Sequence, residues 1–240
     1  AKEQTGMPTI RLEHVSKIFK GHRHKFETLR DVNLTVEQGE FVFIIGSRGA
    51  GSTTLLDMVA GDLPPDDGTV YLDHFNLDKL NRRQQKKLPY IFGRVPQESA
   101  LVRSATVYDN MCSMKKMERL RTKLVDEPRM KKALGLVGMA GCEYRYSLDM
   151  SISQCKRVEL AKAILNSPPI LLLDKITDRK DDDSIWDIFM LLNELNQRGT
   201  TIIMSTHARQ FVNFMRRRVV TLVDGRVVGD VARGRFGDIV

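Results

Sequence analysis

Residues 40–60 read EFVFIIGSRGAGSTTLLDMVA. The apolar run at 41–45 is short enough for a strand buried on both faces. A glycine-rich turn follows at once: Gly46, Ser47, Arg48, Gly49, Ala50, Gly51, Ser52, Thr53 and Thr54. Leu55, Leu56 and Val59 then share one helical face. Buried strand, glycine loop and helix form the context in which the pattern G-x-x-x-x-G-K-[ST] cradles phosphate. The glycines let the backbone wrap an anion, and amides from Gly49 to Thr53 can point inward beside the positive helix N-terminus. Thr53 offers a hydroxyl to Mg²⁺. Position 52 is Ser, so the lysine of the pattern is missing.

Outward from this loop the chain is strand-rich on its N-terminal side. Residues 10–18 read as a strand, and Val32, Leu34 and Val36 recur at period two within 29–36. On the C-terminal side strands and helices alternate. Residues 154–166 carry Val158, Ala161 and Leu165 on one helical face, and 168–174 form a buried strand ending in Asp174. Residues 183–197 place Ile185, Ile188, Phe189 and Leu192 at core spacing, and 201–206 is another buried strand, followed by His207. A short helix over 208–217 and a hairpin over 219–231, turning at Asp224-Gly225, complete the pattern. Such alternation predicts a parallel sheet covered on both faces, with ligands at the carboxyl ends of its strands. The glycine loop, Asp174 and His207 each follow a strand end, so they are expected on one edge.

Composition narrows the class. With 240 residues, 42% of them hydrophobic, the chain can bury a core and is not of the disordered type. No apolar run approaches the ~18–20 residues of a membrane helix. Three cysteines without a C-x-x-C pair argue against a disulfide framework or a structural zinc site and for a reducing compartment. The net charge of +8 fits a basic surface, nucleic acid, anionic lipid or nucleotide phosphates alike. A nucleic-acid reader is disfavoured, because aromatics make up only 7% and no reading motif is present. Residues 111–132 read as helical and basic, either a solvated face or a docking surface; their methionines suit a docking face or a core equally.

The remaining motifs resemble the ATP-binding cassette (ABC) ATPases in order and spacing. Gln97 and TVYDNM (106–111) resemble the Q-loop and the segment after it. MSISQCKRVELAKAIL (150–165) resembles the signature LSGGQ-x-x-R-V-x-x-A-x-A. LLLD ending at Asp174 resembles the Walker B strand, Asp181 falls at the D-loop position, and His207 matches the switch histidine. Phe19 resembles the aromatic that stacks on adenine, with a core phenylalanine as the alternative. Over residues 10–235 the likeness is strongest to the cell-division branch FtsE, with exporters of the lipoprotein-release and macrolide type similar over the same span.

The resemblance implies an α/β P-loop NTPase of the ABC nucleotide-binding type, with a mixed sheet core, an N-terminal antiparallel β subdomain and a helical signature subdomain. It divides the chain into an extension (1–9), a RecA-like core with the β subdomain (10–97 and 154–240) and a helical unit (98–153). It implies ATP and Mg²⁺ as ligands. Phe19, the loop Gly46–Thr54, Ser151 and Asp181 would contact nucleotide, and Thr53, Gln97 and Asp174 would hold the metal. Gln97, Asp174, Lys175 and His207 occupy the catalytic positions. It further implies a head-to-tail homodimer, or a heterodimer with an active homologue, peripheral at the cytoplasmic face of the membrane on an FtsX-like partner. The ATP cycle would then govern peptidoglycan hydrolases during division, with no nucleic acid involved.

Departures from the family pattern fall where the chemistry occurs. Ser52 replaces the lysine, and Lys175 replaces the glutamate that polarises water. Ile176 stands for proline, and Ile152 and Ser153 stand for both signature glycines. Impaired hydrolysis is the expectation. Either Lys175 or Arg48 supplies the missing charge, or the chain is an inactive regulatory or structural relative.

Overall fold

In the computed structural model the described residues are 9–20, 25–116, 127–176 and 185–238. Two sheets organise them. The strands β1 (Ile10–Lys20), β2 (Lys25–Val36), β4 (Asp67–Leu72) and β5 (Phe75–Asn76) form an antiparallel sheet in the order β2-β1-β4-β5. A six-stranded sheet contains β3 (Phe41–Gly46), β6 (Phe92–Val95), β7 (Ile170–Asp174), β8 (Thr201–Ser205), β9 (Arg218–Val223) and β10 (Arg226–Val231). Its order is β10-β9-β3-β8-β7-β6, parallel from β9 to β6, with β10 antiparallel at the edge.

The helices are α1 (Ser52–Val59), α2 (Arg82–Gln85), α3 (Leu88–Ile91), α4 (Val107–Lys116), α5 (Glu127–Leu136), α6 (Ile152–Ile164), α7 (Ile185–Gln197) and α8 (Arg209–Met215). Side chains alternate across a strand, so β3 serves two cores. Phe41, Phe43 and Ile45 face α6, α7 and α8; Val42 and Ile44 face α1 and the antiparallel sheet. Leu171 and Leu173 divide from Ile170 and Leu172 in the same way on β7. The double burial expected of a parallel sheet is therefore present.

The predicted elements form close to their expected bounds. The hairpin turns at Asp224 (φ 47°) and Gly225 (φ 78°), the pair of positive φ values that a type I′ turn requires. Within the region read as helical, Met111 and Met130 are fully buried in the core, so these methionines serve packing. Residues 117–126 lie outside the described residues, as does Asp181. Cys112, Cys142 and Cys155 are free thiols. Burial pushes the Cys142 and Cys155 thiols above their ordinary range, which keeps them protonated.

Candidate nucleotide site

The loop between β3 and α1 is shaped by Gly46 and Gly51, where a side chain finds no room. A Cβ on Gly46 would lie 2.5 Å from the Leu222 carbonyl oxygen and 2.8 Å from the Ala50 methyl. Gly51 has φ +101°, and a Cβ there would meet the Thr28 carbonyl oxygen at 2.5 Å. Gly51 caps α1, and the Leu55 N–H donates to its carbonyl at 2.8 Å. Gly51→Ala should lower stability by about 2–3 kcal/mol through positive-φ strain and overpacking. Urea denaturation checks this; an unchanged midpoint would mean the loop relaxes freely.

Around this loop four strand ends converge. Thr53 donates its hydroxyl to Asp174 Oδ2 at 2.7 Å, joining α1 to the end of β7. Ser205 donates its hydroxyl to the other oxygen, Asp174 Oδ1. The pair is dictated by register, because Asp174 and Ser205 are partners in the β7–β8 ladder. Asp174 is buried and Ser205 is almost wholly so. Gln97, just past β6, brings its Oε1 to 3.4 Å from Thr53 Oγ1. Lys175 donates from Nζ to the same Oε1 at 3.0 Å.

An open cleft of about 2010 Å³ lies over these groups, lined among others by Arg48, Thr53, Gln97, Ser151, Lys175 and His207. Ser47, Arg48 and Gly49 are exposed on the loop, whereas Ala50 and Thr54 are buried and Ser52 is half-buried at the start of α1. His207 is exposed directly beyond β8. Phe19 is 42% exposed on β1, with the Lys17 ammonium 5.9 Å from its ring centroid.

The signature segment begins α6. Ser151 is its N-cap and accepts from the Gln154 N–H at 3.2 Å, while the Ser151 N–H donates to Gln154 Oε1 at 3.0 Å. Ile152, which follows, is 47% exposed. Ile176 is buried in the main core, so the apolar residue in place of proline is a packing residue.

Sequence reasoning missed two groups here. Ser205 looked like one more strand residue, yet it fixes the Asp174 carboxylate. Glu159, on α6, accepts from Lys156 Nζ at 2.9 Å, Ser99 Oγ at 2.8 Å and the Ala100 N–H at 2.6 Å. It ties the signature helix to the segment after Gln97. A buried polar pair on one helix at i, i+3 was the available signal.

As metal donors, Thr53 and Asp174 supply the hard oxygens that suit Mg²⁺ alongside phosphate. The third oxygen, on Gln97, already holds an ammonium. Among the described residues no group of three or more His, Cys, Asp or Glu side chains could hold a metal.

A glycine loop at the end of the third strand, facing a buried carboxylate two strands away, defines a P-loop nucleotide-binding protein. The ABC transporter family profile matches residues 29–178, and the chain belongs to that family. It is 36% identical over 228 residues to the cell division ATP-binding protein FtsE of Mycobacterium tuberculosis, covering 95% of this chain and 98% of that one. It is 33% identical to FtsE of Streptococcus pneumoniae strain D39, covering 92% and 95%. Among solved structures, the dimeric post-hydrolysis state of the ATP-binding cassette MJ0796, bound to ADP and Pi, is similar at TM-score 0.85 and 28% identity. That match covers 95% of this chain and 100% of the other.

Proposed function

We propose that the chain is an FtsE-like ATP-binding subunit that binds ATP at the loop Gly46–Thr54 and hydrolyses it poorly. The observation that carries this reading is the Thr53–Asp174 hydrogen bond, which joins the loop helix to the β7 carboxylate across 121 residues of sequence. Loop amides and the start of α1 attract the phosphates, and Arg48 adds charge at the cleft edge. Mg²⁺, when bound with the nucleotide, would neutralise phosphate charge with Thr53 and Asp174 as its protein donors.

Hydrolysis lacks its proton acceptor. The position after Asp174 carries an ammonium, which donates and cannot accept. Both Asp174 oxygens already accept hydroxyl protons, so this carboxylate orients rather than activates water. By analogy with its relatives, the subunit docks as a head-to-tail dimer on an FtsX-like membrane protein at the cytoplasmic face, through the helical unit 98–153. ATP binding would there govern peptidoglycan hydrolases during division. Among the described residues no helix is long and apolar enough to cross a membrane.

A second reading has its own support. Ile152 presents a branched side chain at the N-terminus of α6, where relatives carry glycine for close approach. An inactive chain paired with an active homologue would need only its own loop and the homologue's signature. Calorimetric titration with ATP and ADP, with phosphate release followed in the same samples, tests the proposal. Binding tighter than about 1 mM is expected, with release at background. No binding at that concentration would overturn it. Co-purification with an FtsX-like membrane protein tests the partner.

A further inference from the structure

The family pattern places one positive charge at position 52 and one negative charge at 175; here position 52 is a neutral Ser and position 175 a cation. The fold determines where that cation goes. Lys175 leaves β7 with φ 50°, and its N–H donates to the Ser205 carbonyl at 3.0 Å. This turn lets the side chain reach across the strand ends to Gln97. The ammonium sits 3.0 Å from Gln97 Oε1, that oxygen lies 3.4 Å from Thr53 Oγ1, and Thr53 bonds to Asp174 at 2.7 Å. Ammonium, amide oxygen, hydroxyl and carboxylate thus form one continuous row, the first three lining the cleft and the carboxylate buried behind them.

The three oxygens are hard donors of the kind that hold Mg²⁺ beside phosphates. One of them is engaged by a group that is already positive and covalently tethered. A divalent ion drawn to the same oxygens meets a like charge at close range. The ammonium has three N–H donors and gives one to Gln97, so it can also donate to an anion above the loop.

We propose that Lys175 is the resident cation of this site: it takes the Gln97 oxygen in place of a divalent ion and neutralises the terminal phosphates itself. The chain therefore binds nucleoside triphosphate without requiring Mg²⁺. This rests on the reading that the loop binds nucleotide, and it adds which cation accompanies that nucleotide.

The test is calorimetric titration of the full chain with ATP, once with Mg²⁺ and once with EDTA and no divalent ion. Wild-type affinities in the two buffers are expected to agree within about threefold. Lys175→Ala should weaken binding in EDTA by about tenfold or more, and Mg²⁺ should restore much of the loss. Lys175→Arg keeps the charge and should keep most of the EDTA affinity. Thermal unfolding of each variant reports whether it is folded, and the Arg variant decides the matter if Ala is not. Wild-type binding that needs Mg²⁺ by tenfold or more, or that ignores Lys175→Ala in EDTA, overturns the role of Lys175 while leaving nucleotide binding intact. Failure to bind ATP in either buffer overturns the nucleotide reading itself.

Discussion

Purified wild-type chain is expected to release phosphate from ATP at background. Restoring Ser52→Lys, Lys175→Glu, Ile152→Gly and Ser153→Gly together should raise the rate by at least about 10²-fold. A positioned general base contributes about 10²–10⁴ in rate, and a charge-stabilising contact to the transferred group about 10²–10³. Such effects act as a unit and do not simply add. Single replacements are therefore expected to stay near background: Lys175→Glu alone supplies a base but removes the cation on the Gln97 oxygen. Ser52→Lys alone adds charge without a base. Ile152 is exposed at the first turn of α6, so glycine there costs at most about 1 kcal/mol of helix stability. Asp174→Ala in the restored background should return the rate to zero, because the carboxylate is the fixed point to which Thr53 and Ser205 are bonded. Wild-type turnover in the ordinary enzyme range of about 1–10 s⁻¹ would sink the argument.

The sequence reveals those parts of this fold that repeat a period or a motif. FVFII and ILLL are unbroken apolar runs, and each is found as a strand whose alternate side chains enter opposite cores. The strand β6 has no such signature. FGRV is four residues with a glycine and an arginine, and it becomes a strand only by pairing with β7. Its glycine is required by packing from another element, since a Cβ on Gly93 would lie 2.5 Å from the Ala163 carbonyl oxygen of α6. The same limit applies to the site. Asp174 and Gln97 could be placed by motif, but the direction taken by the Lys175 side chain depends on a left-handed residue and on a partner 78 positions away. Ser205 required register: it matters because β7 and β8 set it opposite Asp174.

Glu159→Ala should destabilise the fold by about 3–5 kcal/mol. The carboxylate is 3% exposed and the Lys156 that it pairs with is 9% exposed, so neither charge is solvated in compensation. Removing Glu159 leaves the Lys156 ammonium buried, with the Pro96 carbonyl its one remaining acceptor among the described residues. It also strips the Ser99 hydroxyl and the Ala100 N–H of their acceptor, but both residues are exposed, so water replaces the lost bonds and their share of the cost is small. The double variant Lys156→Met, Glu159→Leu removes both charges with similar volumes and should recover most of the pair's share. It would not recover the Ser99 and Ala100 bonds to Glu159 or the Lys156 bond to the Pro96 carbonyl, so the remaining deficit measures these three together. Urea denaturation of wild type, the single variant and the double variant gives the three free energies. Hydrogen exchange at the Ala100 and Leu101 amides reads the local effect, because Glu159 holds this segment to α6. Faster exchange there, with the rest of the sheet protected, is expected in the single variant. A single variant as stable as wild type would show that water reaches the pair and that the signature helix and the Gln97 segment are coupled by packing alone. Leu101, Val107 and Met111 would then be the residues that join them, since all three are buried in the same core as Val158 and Leu160 of α6.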